Sequence, residues 1–187
     1  MKTLLLAIVL LAGAASAADD AKLRAGVFEP ARAAPDFSLH GSDATELKLS
    51  RYRGKVVVLA FGFSSCPDVC PVTLAVLADA RKKLGAEGSD LQVIYVTVDP
   101  ETDDAKRLRD YLAAFDPTFV GGTGEAEQLA AVRSSYGIFA KAREGESGFS
   151  HSSYTYLIDR EGKLRALMPF GHDSDDYEHD VRILLKQ

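Results

Sequence analysis

Residues 55–63 read Lys-Val-Val-Val-Leu-Ala-Phe-Gly-Phe, an apolar and β-branched run without polar alternation. Such a run predicts a strand buried on both faces, as at the centre of a parallel sheet. Leu91–Val98 repeats the pattern and predicts a second central strand, ending at Asp99-Pro100. Between them Pro71–Leu84 reads as a helix, opened by Pro71 and stopped by Gly85. Asp36–Leu39 and Glu46–Leu49 alternate around Gly41-Ser42-Asp43 and predict a small N-terminal hairpin. Asp103–Phe115 and Gly124–Tyr136 read as helices on either side of a short strand at Phe119-Val120, and Ile138–Arg143 as an edge strand. Ser153–Ile158 and Lys163–Met168 predict a hairpin turning at Arg160-Glu161-Gly162, and Ser174–Leu185 a final helix. Strands alternating with helices in this order predict an α/β domain, a central mixed sheet flanked by helices.

The N-terminus belongs to none of this. Met1-Lys2, the apolar Leu4–Leu11 and the small residues Ala15-Ser16-Ala17 predict a signal peptide cleaved after Ala17. The apolar stretch is shorter than the ~20 residues a membrane span needs. Residues 18–34, rich in Ala, Arg and Asp with Pro30, read as a flexible arm, which leaves 35–187 as the folded domain. The expected location is the periplasm, as a soluble protein. A net charge of −5 excludes a nucleic-acid partner, which requires a concentrated basic surface.

Export changes the meaning of the two cysteines, Cys66 and Cys70. A disulfide between them would persist outside the cytosol. It would close so short a loop that it removes little entropy from the unfolded chain. Chemistry is the better explanation of the pair. Both lie in Cys66-Pro67-Asp68-Val69-Cys70-Pro71, just past the first central strand, where open α/β sheets gather ligands. The two prolines stiffen the loop. Cys70 is expected to cap the following helix, whose N-terminus favours a thiolate. Two thiolates side by side select soft ions, Cu(I) above all. A thiol–disulfide couple remains open, although its usual motif has two intervening residues and this one has three.

A metal site needs a further ligand. Of the four histidines, His40 flanks a turn and reads as a surface residue, while His172 and His179 sit in an acidic stretch read as a solvated helix. His151 stands in a Gly/Ser stretch just before strand Ser153–Ile158. The order of elements is that of thioredoxin, in which this loop faces the cysteine loop and carries a cis-proline. Lys141–Met168 contains no proline, and His151 takes the place. Cys66, Cys70 and His151 would form a trigonal S₂N site suited to Cu(I) and, with an added oxygen, to Cu(II).

The motif Cys66–Pro71, the segment Val98-Asp99-Pro100-Glu101-Thr102-Asp103 and the segment His151–Asp159 together closely resemble the Sco/SenC family. The resemblance runs from about Pro35 to the C-terminus. It implies a thioredoxin-like fold and a copper metallochaperone serving the binuclear copper centre of cytochrome c oxidase, with subunit II as acceptor and a thiol reductant as second partner. By the same resemblance Cys66, Cys70 and His151 are the copper ligands, and Asp99 is an acidic residue near the metal. Thr102 departs from the pattern, which has Arg there, and many members keep a transmembrane anchor. The leading alternative function uses Cys66 and Cys70 as a reversible disulfide to reduce the cysteines of an apo-copper client.

Overall fold

The computed structural model describes residues 22–142 and 148–187; the expected signal peptide, 1–17, lies outside them. The strands are β1 (Gly26–Ala33), β2 (Ser38–Gly41), β3 (Glu46–Lys48), β4 (Val56–Gly62), β5 (Leu91–Thr97), β6 (Val120–Thr123), β7 (Ala140–Ala142), β8 (Phe149–His151), β9 (Tyr154–Ile158) and β10 (Lys163–Pro169). The helices are α1 (Val69–Lys83), α2 (Ala105–Ala113), α3 (Ala126–Tyr136) and α4 (Ser174–Leu185). Eight strands form one mixed sheet in the order β1-β10-β9-β4-β5-β6-β2-β3, and β7 and β8 form a separate ribbon. This is the expected flanked mixed sheet, with the N-terminal hairpin β2–β3 joined to it through β6.

Every residue of β4 and β5 is buried, as their unbroken apolar runs require of central strands covered on both faces. Helix α1 turns a stripe of Cys70, Leu74, Leu77 and Ala80 inward, spaced four, three and three residues apart. Removing each of those leucines from water contributes about 1.5–3 kcal/mol.

Strand directions decide where the loops meet. β4 runs parallel to β5, so residues 63–68 and 98–104 leave the sheet at one end. β9 runs antiparallel to β4, with Ala60 opposite Thr155, so the segment entering β9 arrives at that same end. Pro169 pairs with Tyr154, which brings the chain leaving β10 there as well.

Several expectations are corrected. Residues 26–33, expected in a flexible arm, form edge strand β1 on β10, with a register shift between Val27 and Arg32 that accommodates Pro30. The edge strand expected at Ile138–Arg143 is β7, which joins β8 rather than the main sheet. Helix α1 begins at Val69 with Asp68 at its N-cap, so Cys70 lies inside the first turn instead of capping it. Pro71 is tolerated there because first-turn N–H groups have no intrahelical acceptor.

Candidate metal centre

The cysteine loop leaves β4 through buried Phe63 and turns back at once, the Cys66 amide donating to the Phe63 carbonyl at 3.2 Å. Cys66 sits in this turn, half-buried, with a free thiol. Cys70, also a free thiol, is 2% exposed because it lies on the inward stripe of α1. The two thiols are close enough for Cys66 to raise the Cys70 pKa.

His151 closes the group from the opposite side. Its Nε2 lies 3.7 Å from Cys70 Sγ. Its Nδ1 lies 2.9 Å from the Ser152 carbonyl, which accepts the Nδ1 proton and leaves the Nε2 lone pair directed at the sulfur. Phe63 packs edge-on against both the imidazole and Phe149, at 5.9 and 5.8 Å between ring centroids. Burial lowers the His151 pKa, partly offset by the bond to Ser152. The imidazole is thus held neutral, the form that ligates a metal.

Burial dominates Cys70 too and pushes its thiol up to about 12, against smaller opposing effects from Tyr95 and the Phe63 backbone. The expected thiolate at the helix N-terminus gives way to this desolvation. At neutral pH Cys70 keeps its proton, and an incoming soft cation must displace it. Cys70, His151, Tyr95, Tyr154 and Phe170 line a small cleft beside the thiol. Val72, Tyr154 and Phe170 are exposed apolar side chains on this part of the molecule.

Cys66, Cys70 and His151 all lie at the end of the sheet where β4 finishes and β9 begins. Among the described residues no three His, Cys, Asp or Glu side chains are yet gathered tightly enough to hold an ion. Asp99 stands on the neighbouring loop, but its carboxylate is turned into its own turn, accepting from the Thr102 amide at 3.3 Å. His40 is exposed on β2. His172 and His179 each pair with an aspartate of α4, Asp176 at 2.8 Å and Asp180 at 3.0 Å.

Sequence reasoning gave Asp103 no role. Its carboxylate is fully buried and accepts from the Ser64 amide at 2.9 Å, from Thr97 Oγ1 at 2.7 Å and from the Ser64 hydroxyl. It therefore ties the start of the cysteine loop to the end of β5. Arg107, one turn along α2, stands 3.6 Å away and also donates to Ser64 Oγ at 2.7 Å. A cation thus serves this acidic loop from position 107, although position 102 is Thr. One signal was available: Asp103 and Asp104 are adjacent, and a helix N-cap occupies only one, Asp104, which accepts from the Arg107 amide.

A family model described as SCO1/SenC matches residues 27–186. A SCO2-like protein of Rickettsia conorii is 32% identical over 133 residues, which cover 68% of this chain and 65% of that protein. The chain thus spans less than two thirds of that relative's length. The copper-bound structure of Bradyrhizobium japonicum ScoI is similar at a TM-score of 0.74 and 27% identity, covering 82% of this chain and 99% of that one. The structure of BsSco, a member of the Sco family of cytochrome c oxidase assembly proteins with a disulfide switch, is similar at a TM-score of 0.71 and 26% identity, covering 86% and 98%. A sheet of this topology with two thiols and an imidazole at one end defines a thioredoxin-like thiol protein. The chain belongs to the SCO1/SenC family.

Proposed function

We propose that this protein is a copper carrier that binds one copper ion through Cys66, Cys70 and His151 and passes it to an acceptor protein in cytochrome c oxidase assembly. The observation that carries the reading is the pairing of Cys70 Sγ with His151 Nε2, the imidazole tautomer being set by Ser152. A buried sulfur, a second sulfur in a half-buried turn and a neutral imidazole form a soft donor set for Cu(I). Asp99 stands one loop away as an oxygen donor or an outer partner for Cu(II). The copper-bound relative and the oxidase-assembly relative support the same assignment.

Transfer follows from the asymmetry of the two sulfurs. Cys70 and His151 are sheltered, whereas Cys66 meets solvent, where an incoming thiolate of the acceptor can replace it without releasing free metal. The exposed Val72, Tyr154 and Phe170 offer that acceptor an apolar landing. We assign the acceptor to subunit II of the oxidase and the compartment to the periplasm. No described helix is long and apolar enough to cross a membrane. In an oxidising compartment the cysteines pair, and a thiol reductant must supply two electrons and two protons before copper binds.

The test is Cu(I) competition against a chromophoric chelator on the reduced protein. One copper per chain is expected, lost in Cys66→Ser and Cys70→Ser and weakened at least tenfold in His151→Ala. Unchanged affinity in His151→Ala would remove the imidazole from the site. An absence of copper binding, accompanied by insulin-reduction turnover, would transfer the cysteines to a thiol–disulfide couple.

A further inference from the structure

Tyr95, on β5, is 1% exposed, and its hydroxyl has no hydrogen-bond partner among the described residues. An unpaired buried hydroxyl is a standing cost to the fold, and such groups mark places where a partner arrives or changes state. The nearest candidate is the Cys70 sulfur. Gly62, at the end of β4, separates the two only by a bare Cα: a Cβ there would overlap the Tyr95 hydroxyl and stand 2.7 Å from Cys70 Sγ. Hydroxyl and sulfur thus both border a gap kept open by a glycine, and the hydroxyl finds no hydrogen-bond acceptor there. The Tyr111 ring backs Tyr95 at 6.2 Å between centroids.

A protonated thiol accepts hydrogen bonds weakly, so the hydroxyl gains little from it. A thiolate accepts strongly, and one bound to a metal retains lone pairs that can do so. We propose that Tyr95 is a positioning residue for the copper-loaded state, its O–H donating to Cys70 Sγ once that sulfur has exchanged its proton for the metal. The hydroxyl is idle in the metal-free protein and engaged in the loaded one. It therefore favours loading and holds Cys70 in its ligating orientation. The inference rests on the copper assignment above and adds a residue to it.

Tyr95→Phe tests the inference with little change in volume. Cu(I) affinity is expected to fall about 10- to 100-fold, the scale of one charge-assisted hydrogen bond. The thiolate-to-Cu(II) charge-transfer band is expected to move to lower energy, because a sulfur without its donor gives up charge more readily. Melting of the metal-free protein should be unchanged or raised, since the deleted oxygen had no partner there. The Cys66–Cys70 reduction equilibrium should stay within about threefold, since neither of its forms carries the buried thiolate. Affinity within threefold of the parent and an unmoved band would overturn the role. Weaker copper binding together with a lowered metal-free melting point would also overturn it, as a packing effect. A parent that binds no copper sinks the assignment under Proposed function and this one with it. Equally tight binding by parent and variant sinks only the role of Tyr95.

Discussion

Replacing Asp103 by alanine should loosen the loop that carries the cysteines. The carboxylate is fully buried and is the acceptor for the Ser64 amide, the Ser64 hydroxyl and the Thr97 hydroxyl, with the Arg107 guanidinium nearby. Alanine leaves those donors without an acceptor in a site too enclosed for easy hydration. Each stranded donor costs about 1–3 kcal/mol, and Arg107 and the second Ser64 contact recover part of this by turning to water, so the net loss is about 3–5 kcal/mol. For a domain of this size that lowers the melting midpoint by about 10 °C. The assay is urea unfolding of the reduced, metal-free protein, with Asp110→Ala beside it. Asp110 is on α2, the helix that follows Asp103, exposed and paired with Lys106, and its loss should leave the midpoint unmoved. Cu(I) affinity should fall in Asp103→Ala, because Ser64 lies two residues before Cys66. A loss below about 1 kcal/mol, or equal effects in the two variants, would refute the view that Asp103 ties the loop to β5.

Two further outcomes are expected. Burial lowers the His151 pKa below its ordinary 6.5, so the unfolded chain binds the extra proton first and the stability due to neutral His151 is present above 6.5 and lost as pH falls through the folded value. Unfolding at pH 7 and pH 5 should therefore show a loss on acidification that is smaller in His151→Phe, and an equal loss would contradict the burial argument. Asp180, fully buried, accepts from the amides of Arg24 and Ala25 at 2.8 and 2.9 Å and fastens the N-terminal segment to α4. Asp180→Ala should cost about 2–4 kcal/mol and expose Arg24 to trypsin in the folded protein; an unchanged digestion pattern would show that β1 alone holds the segment.

Much of this molecule was determined by local pattern. The apolar runs at Val56–Gly62 and Leu91–Thr97 could be satisfied only between two covered faces, and that made them central strands. Cys70 is in phase with Leu74, Leu77 and Ala80, but only the structure, by starting the helix at Val69 instead of Pro71, puts it on that inward stripe and leaves Cys66 in the preceding loop. The spacing of the cysteines, with the thioredoxin order of elements that puts His151 before a strand, was enough to nominate the candidate ligands. The sequence did not decide the ionisation of Cys70, because the favourable helix terminus and the unfavourable burial oppose each other and only the depth of the pocket selects the winner. Nor did it reveal Asp103 or Tyr95. Ser64, which Asp103 binds, and Cys70, which lies across Gly62 from Tyr95, are 39 and 25 positions away in sequence and come near them through the parallel pairing of β4 and β5. Residues 26–33 became a strand for a similar reason: their composition suits a linker, but the open edge of β10 supplied hydrogen-bond partners that no local pattern announces.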